Sequence, residues 1–417
     1  MHPPTAKNSK ATLLSVAAGI APTVGVLAPL GLAPLLAAVA IGLVVIEPHG
    51  RMNLPPVLRP LAILAALSAL WGGLSTLWSI VPGHSALEAA RFILVTAMGL
   101  VVASAALTLD AGGRAATGRA SLIGLVLAVA LVVIEAAGDF PLRRAISNAA
   151  EPIAIAVLDR GSNVLALTCW LPILYLLQTR RIFAAGLVFT ITFLVVSQLM
   201  SLSASFSLVV AAVTLALAWR QSRTVTVLLI FGFAALALIM PVLAPTRGTV
   251  LWLTQEAPSL RISAEHRLAI WRFASDRIAE KPILGWGMDA SRAMPGGHET
   301  AQAYMNLPAD INLTGEVMPL HPHNALLQWW LELGAIGASL GAAFVCWTAW
   351  CAGTRGQETA RAVALAAIST AMPPLLLSFG IWQAWWQSAL WLVASLMLAI
   401  RQDPDSSAQF SPSTSSS

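Results

Sequence analysis

Charge is scarce in this chain: only 10% of its 417 residues are charged, where a soluble domain carries about 25%. That shortage excludes a soluble globular enzyme, and an apolar content of 57% excludes a disordered chain. Cysteine is nearly absent. Cys169, Cys346 and Cys351 stand apart in apolar stretches, so neither a disulfide scaffold nor a metal knuckle can be read from them. Tyrosine is rare as well, 2 residues against 15 tryptophans; an indole suits the bilayer interface, where an apolar ring and an N–H are both accommodated. There is no Walker loop, no GxGxxG following a strand and no Ser-His-Asp order signal, so nothing points to ATP or to a serine triad. What is present, at a mean hydropathy of +0.77, is an all-α polytopic integral membrane protein, because hydrocarbon excludes charge.

A helix needs about 20 mostly apolar residues to cross about 30 Å of hydrocarbon. Such runs fall near 12–29, 30–46, 58–78, 90–109, 120–137, 162–178, 182–200, 205–219, 224–244, 324–350, 360–379 and 381–400, which predicts 12 spans. Pro22, Pro29 and Pro34 interrupt the first pair, so an arrangement of 11 spans stays open there. Pro373-Pro374 should kink the penultimate span. With the N-terminus in the cytoplasm, 13 Lys and Arg (Lys7, Lys10, Arg51, Arg59, Arg114, Arg119, Arg180, Arg181, Arg220, Arg223, Arg355, Arg361 and Arg401) fall in cytoplasmic segments, and 4 (Arg91, Arg143, Arg144 and Arg160) in short outer loops. The positive-inside rule then puts both termini in the cytoplasm. A cleaved signal peptide after Lys10 is the competing reading, but the apolar stretch continues to Ile46, too long for a signal core. The expected organisation is 1–244 with about nine spans, a periplasmic loop or lid at 245–322, 323–401 with about three spans, and a Ser-rich disordered cytoplasmic tail at 402–417.

A loop as long as 245–322 is usually functional when it is not disordered. Its stretch 263–280 has helical periodicity, with Leu268, Trp271, Ser275 and Ile278 on one stripe, Ser263 as an N-cap, and Pro282 and Gly285 as the stop. Arg247, Arg261, Arg267, Arg272, Arg277, Lys281 and Arg292 lie on the same loop. Arg261, Arg277 and Lys281 read as solvated charge. Arg267 and Arg272 flank Trp271, and Arg272, Asp276 and Glu280 are spaced for ion pairs along a helix. The rival reading is an anion site, since the planar guanidinium donates two parallel hydrogen bonds to a phosphate.

The densest polar cluster is His321-Pro322-His323-Asn324, at the mouth of the tenth span. Asn324, Gln328 and Glu332 recur every four residues and so share a helix face, with Glu332 about 13 Å below His323 at 1.5 Å per residue. A glutamate inside a span is a functional candidate by default; here a hydrogen-bonded structural group is the preferred reading. For His323 the preferred reading is a titratable base beside a cationic loop. Gly334, Gly337 and Gly341 offer small faces for close helix packing. His321, His323, His298 and Glu316 match no metal motif, and His321 and His323 do not share a helix face, so no metal is expected.

These residues also form a recognisable pattern. His323-Asn324-x-x-Leu327, followed by Glu332-x-Gly334-x-x-Gly337, resembles the signature of the O-antigen ligase and O-antigen polymerase superfamily. Arg267-x-x-x-Trp271 with Pro282-x-x-Gly285-x-Gly287 is similar to its outer-loop segment. Trp78-Ser79 with Pro82 and Ser85, and Arg160-Gly161-Ser162-Asn163 with Pro172, resemble further parts of it. One departure is Ser201–Ser207, where that pattern has a Ser-Arg element and no Arg is present. The resemblance implies an inverting glycosyltransferase, independent of metal and ATP and without a cofactor. It would move O-antigen glycan from undecaprenyl pyrophosphate to a lipid A–core sugar hydroxyl at the periplasmic face. His323 would be its catalytic base, with Arg160, Arg267, Arg272 and Arg91 on the pyrophosphate and Asn324, Glu332, Trp271 and His321 in support. An O-antigen or exopolysaccharide polymerase with the same donor is the nearest alternative. A secondary transporter or flippase is a more distant one, since it would want ionisable groups near the midplane and broken helices in matched halves.

Overall fold

The computed structural model describes residues 6–47, 54–147, 153–256, 262–309, 311 and 313–402. Sixteen α-helices carry the chain: α1 Ala6–Leu27, α2 Leu32–Ile46, α3 Arg59–Leu74, α4 Pro82–Ala106, α5 Ala111–Ala137, α6 Pro141–Ser147, α7 Asp159–Thr168, α8 Trp170–Gln178, α9 Ile182–Ser197, α10 Leu202–Ile239, α11 Arg247–Glu256, α12 Ile262–Glu280, α13 Ala301–Tyr304, α14 Ala325–Thr354, α15 Glu358–Leu377 and α16 Ala384–Ile400. Strand pairing among the described residues amounts to one isolated bridge, Thr300 to Glu316. The all-α membrane architecture read from composition therefore holds.

Among the described residues nine helical stretches are long and apolar enough to cross a bilayer, and the apolar helices Ile182–Ser197 and Ala384–Ile400 are shorter. One of the nine, Leu202–Val242, is two helices joined at Gln221, whose φ of −136° and ψ of 49° leave the helical region. Ala218 and Val225 on either side of the bend share a cluster with Ala362 and Leu365. The far ends, Ser201 and Met240, both lie at the opposite end of the bundle, against Asn163 and Asn324. With its two arms counted apart, the apolar helices number the expected twelve. α1 and α2 are separate helices, because Ala28–Gly31 turns the chain between them, so the first pair does not merge into one span.

Contacts sort the loops onto two ends. At one, Lys10 meets Glu47 at 2.7 Å and Thr108 at 3.2 Å, and Arg114 donates to the Arg401 carbonyl. At the other, Arg143 donates to the Val26 carbonyl at 2.6 Å and Trp78 to the Leu284 carbonyl at 3.3 Å. Arg51, Arg261 and the tail 403–417 lie outside the described residues, as do the side chains of Lys7 and Ser263.

Burial decides the layering. The stretch Ile155–Gln178 is 83% buried, with Val164, Leu165, Trp170, Leu171 and Leu174 all at the centre. A helix apolar all round belongs in an interior, and glycines bring its neighbours close: a Cβ at Gly25 would meet Val164 Cγ1 at 2.2 Å. The circumference keeps large apolar side chains outward, Phe183, Leu217 and Phe231 among them, as lipid contact requires.

Several helices begin earlier than hydropathy suggests. α4 starts at Pro82, which needs no N–H donor at a first helical position. Arg91 therefore lies inside α4, not at its end. α5 starts at Ala111, with Asp110 capping the Gly113 N–H at 2.8 Å. In the opposite sense, 360–379 and 381–400 leave no room for the connection seen at residues 378–383. Pro373 and Pro374 supply no N–H to the preceding turn, and α15 ends at Leu377.

Candidate active site

Three stretches that the sequence pattern singled out converge around a break in α14. Gly334 has φ +65° and ψ −165°, a region essentially reserved for glycine. The freed backbone pairs with the outer loop: Trp286 N donates to Leu331 O at 2.9 Å, Gly287 N to Glu332 O at 2.8 Å and Ala335 N to Pro282 O at 2.8 Å. Residues of the α3–α4 turn close the other side. Ser85 Oγ donates to Met288 O at 2.6 Å, Met288 N to Ser75 Oγ at 3.0 Å and Trp71 Nε1 to Leu333 O at 2.9 Å. Pro282-x-x-Gly285-x-Gly287 is thus a backbone clamp, and its residues hold shape. A Cβ at Gly334 would lie 2.1 Å from Ile283 O. Gly334→Ala is expected to destabilise the protein by about 3 kcal/mol or more, read as an earlier thermal unfolding in detergent; unchanged unfolding would refute the clamp.

Glu332 lies wholly buried beneath that clamp. One carboxylate oxygen accepts from Asp289 N at 2.7 Å and from Trp382 Nε1. The other accepts from Gln328 Nε2 at 3.0 Å and from Ser291 Oγ. With both oxygens occupied it is the hydrogen-bonded structural group expected from sequence. Gln328 extends the chain by accepting from Ile381 N at 2.9 Å. Asn324 departs from the expected shared face: it is the N-cap of α14, and its Oδ1 accepts from Leu326 N at 3.0 Å and Leu327 N at 3.1 Å.

Above the cap is the histidine pair, ring centroids 4.4 Å apart. His323 takes a left-handed backbone, φ +53°, which turns its ring toward the α15–α16 connection. There its Nδ1 lies 2.7 Å from the Ser378 carbonyl. A carbonyl only accepts, so Nδ1 carries the proton and Nε2 keeps its lone pair. Burial is the main cause holding His323 below the ordinary imidazole range; the nearby Arg267 and His266 push the same way, and the Ser378 bond opposes. The group is therefore a neutral imidazole at pH 7 with a free basic nitrogen. His321 is more deeply set: burial first, then His323 and Arg292, hold it at about 3. Its Nδ1 accepts the His323 backbone N–H at 3.1 Å, and Gly380 packs flat on its ring, so that a Cβ there would meet it at 3.0 Å.

The cations divide into two kinds. Arg267 and Arg160 have no carboxylate partner among the described residues. Arg267 lies half-buried on α12 within electrostatic reach of His323. Arg160 is exposed and lies over the Trp385 ring at 5.8 Å; Trp385 in turn donates to Gln383, whose amide faces His321 at 3.3 Å. Arg272 and Arg91 are paired. Arg272 Nε meets Asp276 Oδ2 at 2.9 Å, an oxygen that Tyr304 also binds at 2.6 Å. Arg91 meets Glu88 at 3.1 Å. The helix-face ion pair foreseen for Arg272 is present. Among the described residues no three His, Cys, Asp or Glu side chains form a group that could hold a metal ion.

The helix of the outer loop forms as expected, and Ser275 and Ile278 of the expected stripe are buried, but Leu268 and Trp271 are only half-buried and Ala269, Ile270, Phe273 and Ala274 complete the buried face. Trp271 stands at the edge of that face and donates to the Pro322 carbonyl at 3.0 Å, tying the lid to the histidine turn. Sequence reasoning missed Ser378, Gly380, Trp382, Gln383 and Arg292. The first four sit where two apolar runs seemed to abut. The break after Pro373-Pro374 was their available signal.

Residues 185–342 match the family model described as O-antigen ligase. That stretch holds Arg267, the histidine pair and Glu332, though not Arg91 or Arg160. A protein of Rickettsia conorii that carries the provisional name polysaccharide ligase is 26% identical over 344 residues, 82% of this chain and 80% of its own length. One of Rickettsia felis with the same provisional name is 26% identical over 357 residues, covering 85% and 84%. Together these matches bear out the resemblance to the O-antigen ligase family read from the sequence.

Proposed function

We propose that the protein is a glycosyltransferase of the O-antigen ligase type. It transfers O-antigen glycan from undecaprenyl pyrophosphate to a lipid A–core sugar hydroxyl, with inversion and without metal or ATP. The observation that carries this reading is the geometry of His323: Nδ1 lies 2.7 Å from the Ser378 carbonyl, which leaves Nε2 as the basic atom, and Arg267, without a carboxylate partner among the described residues, acts electrostatically on the ring. Nε2 takes the proton of the acceptor hydroxyl as its oxygen attacks the anomeric carbon. The bond from that carbon to the pyrophosphate oxygen breaks, and the electron pair leaves with the phosphate. Charge grows on the leaving group in the transition state, where fixed cations act most strongly. Arg267 and Arg160 are placed for that work; Arg272 and Arg91, already neutralised in part, contribute less. The lid of loop 245–322 excludes water that would hydrolyse the donor. A slot of about 210 Å³ between the second arm of α10 and α14, lined by Ala234, Ala237, Leu238, Trp330, Ala338, Ser339 and Ala342, is mostly apolar and suits the isoprenoid tail. The site then faces the periplasm of the inner membrane, with both termini cytoplasmic.

Purified protein in proteoliposomes with lipid-linked donor and lipid A–core is expected to form the ligated product in the presence of EDTA. Polymerised donor without ligation would point to the polymerase instead. Two variants refine the test. Arg267→Lys should lower the rate although charge is kept, because an ammonium cannot give a bidentate contact, whereas Arg272→Lys should be milder. The acid limb of the rate should fall below pH 6.5, because the base is active when neutral and its folded value is depressed. Arg267→Ala, which removes a neighbouring cation, should move that limb upward. A limb at or above pH 6.5 in the wild type would contradict the burial argument.

A further inference from the structure

At the end of the bundle opposite the histidine pair, α9 and the first arm of α10 run antiparallel. Ser205 Oγ reaches the Val196 carbonyl near their other end, which sets the register and brings Phe189 level with Ala212. Between them a groove of about 380 Å³ is lined by Phe189, Ala212, Leu215, Ala216 and Trp219. The same register puts Arg181 level with Arg220, which follows the groove-lining Trp219 in sequence; Arg180 adjoins Arg181, and Arg223 lies just past the bend at Gln221. All four are exposed, and none has a carboxylate partner among the described residues. Lys10 and Arg361, at the same end, are by contrast engaged by Glu47 and Glu358.

The positive-inside rule explains why arginines gather at this end; it does not explain an apolar groove leading into them. α9 has 16 residues, about 24 Å at 1.5 Å per residue, short of the roughly 30 Å of hydrocarbon. Trp219 stands at the end of the groove as an interfacial anchor. The geometry points to a seat for one anionic glycerophospholipid, an acyl chain in the groove and the phosphate on the arginines. The ligand chemistry follows from the two parts together: apolar lining accepts a chain, and unpaired guanidinium forks accept phosphate oxygens.

Native mass spectrometry of the full chain in mild detergent, with added phosphatidylglycerol or phosphatidylcholine, tests this. Wild type should retain one phosphatidylglycerol in preference to phosphatidylcholine. Each arginine near an anionic surface counts for about fivefold, so Arg220→Ala/Arg223→Ala should lower retention about 25-fold. Ala216→Phe, which fills the groove and leaves the charges, should lower it too. Arg59→Ala, on another helix at the same end, should not. Equal retention of the two lipids overturns the site, as do wild-type retention in both groove variants or a loss in Arg59→Ala as large as in the double variant. Thermal unfolding of each variant reports that it is folded.

Discussion

Replacing His323 by alanine is expected to cost transfer about 10² to 10⁴ in rate, the usual effect of losing a general base. The expectation rests on one hydrogen bond. Ser378 O fixes the proton on Nδ1 at 2.7 Å and leaves Nε2 as the only basic atom of the ring. The backbone at this position is left-handed, φ +53°, which strains alanine, so His323→Asn is the better control: asparagine tolerates that conformation and carries no base. Both variants should still bind lipid-linked donor, because the guanidinium groups hold it. His321→Ala should be milder; His321 is held near 3 and supports its neighbour by accepting the His323 N–H. In vitro rates at matched protein level decide the matter. If His323→Asn keeps more than roughly a tenth of the wild-type rate, His323 is not the base.

Glu332→Ala is expected to have the largest effect on stability. Its carboxylate accepts from Asp289 N, Ser291 Oγ, Gln328 Nε2 and Trp382 Nε1, joining α14 to the outer loop and to the α15–α16 connection at one buried point. Each buried donor left unpaired costs about 1–3 kcal/mol, so a loss of about 3–5 kcal/mol is expected, with water entry limiting it. Glu332→Gln keeps the shape but turns an amide N–H₂ toward donors and should fall between. Thermal unfolding in detergent reads the loss, and limited proteolysis should cut first within residues 285–300. A Glu332→Ala protein with wild-type unfolding and the wild-type protease pattern would show that the four bonds do not hold the clamp.

Much of this was legible beforehand. His323 and Glu332 stood out by residue type and Asn324 by spacing, although Asn324 caps α14 and does not share the expected face; the helix at α12 was read from its period. What escaped was set by contacts remote in sequence. Ser378 and Gln383 look like parts of two abutting spans, and only packing shows that they face the histidines. The standing of the arginines was legible in part. Arg272 and Arg91 have acids at three or four residues' distance and are paired, while Arg267 has only Glu265, two residues away and off its helix face, and meets no carboxylate among the described residues. Which guanidinium groups stay free depends on the rotation of α12 against the bundle, set by Phe273 and Ala274.

Composition by itself determined that the chain lives in a bilayer, because a shortage of charge and a surplus of apolar runs have no other stable arrangement. Run length located the apolar helices, and helical period the helix at 262–280. Tertiary structure alone decided that Pro282-x-x-Gly285-x-Gly287 clamps a broken helix, and that a carbonyl 55 residues away selects the His323 tautomer. The physical reason is range. Partition into hydrocarbon sums over local side chains, whereas hydrogen-bond partners and ion pairs depend on which helices meet, and that is settled by packing across the whole fold.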